Sequence, residues 1–260
     1  MTAYPRRPHI LAPAAAAALL GLTLAAAPDA RAAPERAGPA GAPAPRSETN
    51  GTVPMADAEV SERGGRATVE GATGPEHWAP VTPEKWDFPG SEVVLTEAGT
   101  DPGPPRRPYE YAVLTAGPRF GEVRIDAEVR IDEPVEVDNR DVVVLFGYRS
   151  PTEFYYAHLS QDNTIYPHNG IFKVDGADRE RIDDQWDGEV GAPPAITDAE
   201  YHPVSVRHDP RSGRIAVFVD GAKRPLMTAK DRTFDSGRVG FGSFDNYGRL
   251  RALKVTGRPA

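Results

Sequence analysis

The sequence of 260 residues contains no cysteine, which excludes disulfide bonds and thiolate chemistry throughout the chain. Small extracellular modules usually depend on disulfides, so a cysteine-free chain that folds outside the cell needs a sizeable hydrophobic core. Positive charge is also scarce, because 30 lysines and arginines face 38 aspartates and glutamates, for a formal net charge of −8. This balance argues against nucleic acid as a partner and, more weakly, against anionic membrane surfaces.

Long apolar runs are missing except at the N-terminus. Arg6 and Arg7 precede an alanine- and leucine-rich stretch over residues 10–27, and Ala30-Arg31-Ala32 has the small-residue spacing of a cleavage site. This order predicts a secretory signal peptide over residues 1–32. A transmembrane anchor is the alternative, but the run is short and rich in alanine. We therefore expect a secreted, extracellular protein with no membrane association after cleavage.

The segment that follows is poor in large apolar residues. Residues 33–75 consist mainly of alanine, proline, glycine, serine, threonine and charged residues. Such a segment cannot bury enough surface to compensate for the entropy lost on ordering. It is predicted to be a disordered linker, although the stretch SERGGRATVE near its end could add an early strand.

Helical periodicity is absent from the rest of the chain, since no window sustains it for three turns. Short β-rich runs follow one another between turn residues over 76–258 instead. EVRIDAEVRID alternates strictly between charged and apolar residues, which predicts a half-buried antiparallel strand, whereas DVVVLFGYR is apolar on both faces and typical of a central strand. Pro210-Arg211-Ser212-Gly213 and Asp220-Gly221 predict turns. The pattern predicts one all-β domain built as a two-sheet sandwich or barrel.

Three segments resemble the concanavalin A-like lectin/glucanase superfamily, namely DVVVLFGYRSPTEFYYAHLS, GRIAVFVDG and TFDSGRVGFGSFDN. Within it they are most similar to the laminin-G-like and 3-keto-disaccharide hydrolase (family-16-related) domains of secreted bacterial proteins. The resemblance covers about residues 110–257 and implies an antiparallel two-sheet jelly-roll sandwich directed at a saccharide. The superfamily includes lectins, hydrolases, lyases and adhesion modules, so the fold does not fix an activity.

Family 16 glucanases have a Glu-x-Asp-x-Glu strand whose alternate carboxylates point into the groove. The nearest match here is Glu122, Asp126 and Glu128, with Arg124 and Arg130 interleaved on the same face. Retaining hydrolysis needs two carboxyls about 5–5.5 Å apart, which residues i and i+2 of a strand can supply. Because the row is balanced in charge, we interpret it as a solvated strand face.

The strand EFYYAHLS and the polar stretch after it contain the candidate site. Alternation sends Tyr156 and His158 to one face, opposite the residues that would fill the interior. The connection Gln161 to Asn169 is longer than an ordinary hairpin loop and brings amides and a second imidazole, His168, to one end of the strands. Tyrosine is apolar in its body and polar at its tip, which suits a sugar. We therefore expect these side chains to line an open hollow.

The two histidines are the predicted catalytic residues, and other polar or aromatic residues nearby are predicted saccharide contacts. Histidine is the side chain whose ordinary pKa lies near neutral pH, so His158 and His168 would be the groups that transfer a proton near the scissile bond. The predicted contact residues are Tyr148, Arg149, Tyr156, Gln161, Asn163, Asn169, Lys173 and Trp186. The other histidines and tryptophans are interpreted structurally, with Trp78 and Trp86 as core anchors and His202 and His208 facing solvent.

Two functions stay open on the sequence alone. The first is glycoside hydrolysis or elimination on an extracellular oligo- or polysaccharide; the alternative is a non-catalytic glycan-binding module, and a structural or adhesion domain is a weaker third. No cofactor is predicted, although the two histidines with Asp162 could bind a divalent metal. We expect a monomer. A separation of about 8 Å or less between His158 and His168 across one pocket would favour the enzyme.

Overall fold

A computed structural model of the chain describes residues 58–162 and 168–260. The predicted signal peptide, residues 33–57 of the predicted linker, and Asn163 lie outside the described residues. The strands, in chain order, are β1 (Glu59–Arg63), β2 (Arg66–Glu70), β3 (Trp78–Pro80), β4 (Trp86–Asp87), β5 (Glu92–Leu95), β6 (Glu110–Leu114), β7 (Phe120–Ile131), β8 (Asp141–Ser150), β9 (Glu153–Ser160), β10 (Gly170–Asp175), β11 (Glu180–Arg181), β12 (His202–Asp209), β13 (Arg214–Val219), β14 (Met227–Lys230), β15 (Arg238–Ser243) and β16 (Gly248–Pro259).

The strands form two antiparallel sheets packed face to face, which confirms the predicted jelly-roll sandwich. The nine-stranded sheet runs β1-β2-β16-β7-β12-β13-β14, with β5 beside β16 and β4 beside β5. The seven-stranded sheet runs β11-β10-β9-β8-β15-β6-β3. Two single-turn 3-10 helices, Pro75–His77 and Pro83–Lys85, complete the described secondary structure. No helix in residues 58–162 and 168–260 has the length and hydropathy to cross a bilayer.

The sandwich begins earlier in the chain than the sequence predicted. Strands β1 and β2 form a hairpin around Gly64 and Gly65, both with positive φ, and β2 pairs with β16. Ala67 and Val69 are fully buried between the sheets. The structure therefore has the early strand that SERGGRATVE left open, and the linker prediction does not hold over residues 59–70, because two small apolar residues at alternate positions suffice to add a strand to an existing sheet edge.

Alternation along the strands divides the main core from the surface as predicted. In β7 the apolar residues from Val123 to Ile131 are buried and the charged residues between them face solvent, while β8 is buried on both faces for most of its length. Trp78 and Trp86 are each 5% exposed, which confirms them as core residues. The indole N–H of Trp86 donates to the buried carboxylate of Glu110 at 2.8 Å.

A second apolar cluster covers the outer face of the seven-stranded sheet. Its members alternate with the main-core residues on β6, β8, β9 and β10, and they are Tyr111, Val113, Val143, Leu145, Phe154, Tyr156, Phe172, Val174 and Phe244. Arg179 closes this cluster, with its guanidinium 4.9 Å from the ring centre of Phe172 and 4.5 Å from that of Phe244. The backbone of Arg179 is in turn bonded to Arg106. This face of the sheet is therefore packed rather than open.

His208 lies in the main core, which contradicts the prediction that it faces solvent. It is 2% exposed, between the rings of Phe146 and Tyr155 at 5.6 and 5.3 Å. The alternation of β12 that buries Val204 and Val206 places His208 on the same side. Burial lowers the pKa of His208 to about 4, and its Nε2 has no hydrogen-bond partner among the described residues.

Candidate functional site

The structure brings the two predicted catalytic histidines together at one end of β9. Their ring centres are 5.2 Å apart, with the planes at 70°. His168 Nδ1 lies 3.1 Å from Asp162 Oδ2, and its side chain is 17% exposed. The two histidines are therefore close enough to act jointly on one substrate. The enzyme interpretation also requires that both histidines face one open pocket, which depends on what surrounds His158.

His158 and Tyr156 face the predicted side of β9, but that side is closed. Both residues are 0% exposed. Tyr156 stacks on Phe172 at 5.2 Å and accepts a hydrogen bond from Arg179, while His158 stacks on Phe244 at 5.2 Å. The predicted open hollow is therefore wrong, because the second apolar cluster and Arg179 occupy the space in which a sugar would lie.

A buried carboxylate pairs with His158. Its Nε2 lies 3.0 Å from Asp141 Oδ2, and both side chains are within 1% of full burial. Burial lowers the pKa of His158 to about 4, and the nearby Asp141 carboxylate opposes this shift. Asp141 also accepts hydrogen bonds from Ser243 Oγ at 2.5 Å and from the Phe244 N–H at 3.3 Å. An imidazole enclosed in this way has no path to a proton on a bound ligand.

The predicted contact residues Gln161 and Asn169 are occupied in holding the fold together. Gln161 accepts from Arg140 Nε at 2.6 Å and donates to the carbonyls of Val135 and Val137. Asn169 is fully buried; it accepts from the Ser160 N–H and donates to the Asp162 carbonyl, both at 2.9 Å. Neither amide is directed toward a surface on which a ligand could lie.

We expect Asn169→Ala to lower the free energy of unfolding by about 2 kcal/mol, because it leaves a buried N–H and a carbonyl unsatisfied. Chemical denaturation of the full chain would measure the change. Asn139→Ala is the matched control, since Asn139 is exposed. An equal and small change in both variants would show that Asn169 does not hold the end of β9.

Lys173 and Arg149 lie on the opposite side of their sheet from His158. Lys173 Nζ donates to Asp231 at 3.1 Å, and Arg149 covers the ring of Phe234 at 5.2 Å. Alternation explains this separation, since Lys173 follows Phe172 and Arg149 follows Tyr148 by one residue. The structure therefore does not bring these two cations to the histidine pair.

Tyr148 and Trp186 are predicted aromatic contacts that keep some accessible surface. Tyr148 lies at the margin of the second apolar cluster, 5.8 Å from Tyr111. Trp186 is half-buried, with the Arg181 guanidinium 4.6 Å from its ring centre. Within residues 58–162 and 168–260, no group of three histidine or carboxylate side chains has the arrangement of a metal site. The suggested set of two histidines with Asp162 is accordingly not assembled for a metal.

An open groove lies elsewhere, on the outer face of the nine-stranded sheet. Three adjoining depressions of about 560, 400 and 530 Å³ have one lining residue in common, Phe218 on β13. Phe218 is half-buried, although it points away from the core. Arg207, from the neighbouring β12, holds its guanidinium 4.4 Å from the centre of that ring. The groove thus has a flat aromatic floor and a cation beside it.

Polar side chains of β7 form the other wall of this groove. Arg124 pairs with Asp126 at 2.7 Å, and Glu128 pairs with Arg251 at the same distance. These residues belong to the row interpreted as a solvated strand face, and Glu122 also lies in ion pairs, with Arg66 and Arg258. Each carboxylate of the row is therefore neutralised by an arginine, which confirms that interpretation.

Sequence reasoning missed Arg207 and Phe218 as candidates. A signal was present, because the alternation of GRIAVFVDG puts Phe218 on the same face as Arg214 and Ala216, which makes it an aromatic residue on a polar strand face. Such an exposed apolar residue marks an interaction surface only in combination with its neighbours. Those neighbours come from β7 and β12, and the sequence does not state that these strands are adjacent.

No protein-family model and no curated protein matches the chain. Among solved structures it is similar to carbohydrate-binding module CBM66 from Bacillus subtilis, with 13% identity and a TM-score of 0.50 over 68% of this chain and 94% of that one. It is less similar to the Ca2+/Man3GlcNAc-bound exoplasmic/lumenal domain of VIP36, at 10% identity and TM-score 0.47 over 78% and 91% of the two chains. The metal-free Emp46p carbohydrate recognition domain gives 11% identity and TM-score 0.44 over 71% and 89%. At these identities a likeness shows a shared fold alone.

Proposed function

We propose that this domain is a non-catalytic carbohydrate-binding module that holds an extracellular saccharide on the outer face of its nine-stranded sheet. The observation that supports this most directly is the accessible ring of Phe218 at the meeting point of three open depressions. The sandwich shared with a solved carbohydrate-binding module agrees with it. Export by the N-terminal signal, and the closer likeness to laminin-G-like and 3-keto-disaccharide hydrolase domains, are parts of the same proposal.

The chemistry of the groove suits a sugar ring. A pyranose has apolar C–H faces that pack on an aromatic ring, and its hydroxyls need hydrogen-bond partners at the edges. Phe218 supplies the ring, while Arg124, Arg207 and Thr228 supply polar groups around it. The depressions are shallow and continuous with one another, unlike the enclosed clefts that usually bind small molecules. This shape fits a segment of a polymer.

A hydrolase or lyase centred on His168 is the second candidate, favoured by the 5.2 Å separation of the two histidine rings. The full burial of His158 and the structural hydrogen bonds of Asn169 and Gln161 oppose it. The two candidates differ in their products, because an enzyme releases reducing ends or unsaturated sugars and a binding module releases neither. We therefore favour the binding module.

The test is retention of the full chain in native gels that contain soluble plant, algal or microbial polysaccharides, with reducing ends and unsaturated products measured in parallel. We expect retention by at least one polysaccharide, no product, and about tenfold weaker binding by Phe218→Ala, since one aromatic stacking contact contributes about 1 kcal/mol or more. Thermal unfolding of each variant confirms that it is folded.

Trp186→Ala is the matched control, because Trp186 is also a half-buried aromatic residue under an arginine but does not line the groove. Loss of retention in Trp186→Ala with normal retention in Phe218→Ala would move the site from the groove to the surroundings of Trp186. Product formation that disappears in His168→Ala would establish the enzyme instead. Absence of retention by every polysaccharide would exclude the binding module.

A further inference from the structure

The groove around Phe218 has a surplus of positively charged side chains, which a neutral sugar would not need. Seven cations and five carboxylates line the three depressions, in a chain whose total charge is −8. The cations are Arg66, Arg124, Arg207, Arg214, Lys223, Lys230 and Arg232, and the carboxylates are Glu122, Asp126, Glu128, Asp184 and Asp209. The local balance is thus opposite in sign to that of the protein.

The carboxylates of the groove are already engaged. Glu122, Asp126 and Glu128 are in ion pairs with arginines. Asp184 accepts from Thr228 Oγ1 at 2.8 Å, and Asp209 accepts from Ser212 Oγ at 2.6 Å. Five cations lining the groove, by contrast, make no ion pair with any carboxylate of the described residues; they are Arg207, Arg214, Lys223, Lys230 and Arg232.

Two pairs of like charges lie directly opposite each other on neighbouring strands. Arg124 on β7 faces Arg207 on β12, and Arg214 on β13 faces Lys230 on β14. Like charges at directly opposed positions destabilise a sheet. Asp126 pairs with Arg124, and Asp209 lies opposite Arg214 without forming an ion pair, while Arg207, Arg214 and Lys230 are exposed. An anion placed over the four strands would relieve this repulsion.

We propose that the groove binds a polysaccharide whose sugar units bear carboxylates, that is, a polyuronate; this rests on the proposed carbohydrate-binding function. The planar guanidinium of Arg207 can donate two parallel hydrogen bonds to a carboxylate. The part of the Phe218 ring that this guanidinium does not cover can contact the ring of the same sugar. The four cations extend over three inter-strand spacings, about 14 Å, which is the length of a short oligosaccharide and exceeds a single sugar.

The test compares two polymers with the same backbone, polygalacturonate and its methyl ester, by affinity gel retention and titration calorimetry of the full chain. We expect polygalacturonate to bind at least about tenfold more tightly than the ester at low salt, and the preference to shrink at 0.5 M salt, where surface charges are screened. Arg207→Gln should weaken polygalacturonate binding about tenfold and binding of the ester much less, so that the preference for the acid shrinks. Arg214→Gln should act in the same direction.

Arg119→Gln is the matched control, because Arg119 is exposed, outside the groove, and its loss changes the net charge equally. If Arg119→Gln weakens binding as much as Arg207→Gln, overall charge rather than the groove is responsible, and the inference is overturned. Equal affinity for single-stranded DNA or dextran sulfate would also overturn it, by showing a general polyanion surface. Retention of neutral polysaccharides with no preference for the acid would leave the carbohydrate-binding function intact and refute only the polyuronate specificity.

Discussion

Replacing Arg140 by methionine is expected to lower the free energy of unfolding by about 3 kcal/mol, since three acceptors lose their donor in a buried site. Arg140 is fully buried immediately before β8. Its guanidinium donates to Gln161 Oε1 at 2.6 Å, to the Asp198 carbonyl at 2.6 Å and to the Glu133 carbonyl at 3.2 Å. One side chain thereby joins three loops at the end of the sandwich.

Urea denaturation of the full chain measures this loss, with Arg119→Met as the control for removing an exposed arginine. Methionine keeps much of the apolar volume of the arginine stem, so the difference between the two variants reports the hydrogen bonds. Arg140→Lys should fall between them, because an ammonium can replace some of the donors. An unchanged or raised midpoint for Arg140→Met would mean that the cost of burying the charge outweighs its three hydrogen bonds.

His208 is expected to make the domain less stable in mild acid, by about 2 kcal/mol between pH 7 and pH 5. Burial lowers the pKa of His208 to about 4, whereas an unfolded histidine titrates near 6.5. Between these values the unfolded chain binds a proton that the folded chain does not, so stability falls as the pH falls. Most of this change lies above the range in which carboxylates titrate.

His208→Leu should remove this part of the pH dependence while leaving stability at pH 7.5 within about 1.5 kcal/mol, since an apolar side chain of similar volume replaces a neutral imidazole. Unfolding free energies at pH 7.5, 6 and 5 measure the difference between variant and wild type. The lowered pKa of His158 also makes stability fall with pH, in the wild type and in His208→Leu alike. Asp141 opposes the lowering of that pKa.

His202→Asn is the control for this measurement. Hydrogen bonds to Asp198 and Asp220, each at 2.9 Å, raise the pKa of His202 although burial opposes them. Its stabilisation is fully present below the unfolded pKa and is lost as the pH rises through the folded pKa. Its removal should therefore leave the slope below pH 6 unchanged. If the unfolding free energy of His208→Leu fell with pH as steeply as that of the wild type, protonation of His208 would not destabilise the folded protein.

Local pattern was enough to predict much of the architecture. Alternation divided β7 into a buried and a charged face, identified β8 as central, and placed Tyr156 and His158 on the same side of β9. Pro210–Gly213 joins β12 and β13 as its turn residues predicted. These features depend on residues that are neighbours in the chain, and the pleat of a strand fixes the direction of each side chain. The same rule would have placed His208 inside.

The candidate site depended on tertiary structure. The outward face of β9 is closed by Arg179, from the turn after β10, and by Arg106, from the connection before β6. The groove on the other sheet exists because β7, β12, β13 and β14 are adjacent, which sets Arg207 beside Phe218 and leaves its charge without a carboxylate. The sequence by itself determined which way each side chain points, since that is a property of one strand. Only the folded chain decided what each side chain meets, because cover, strand order and charge pairing come from segments far apart in sequence.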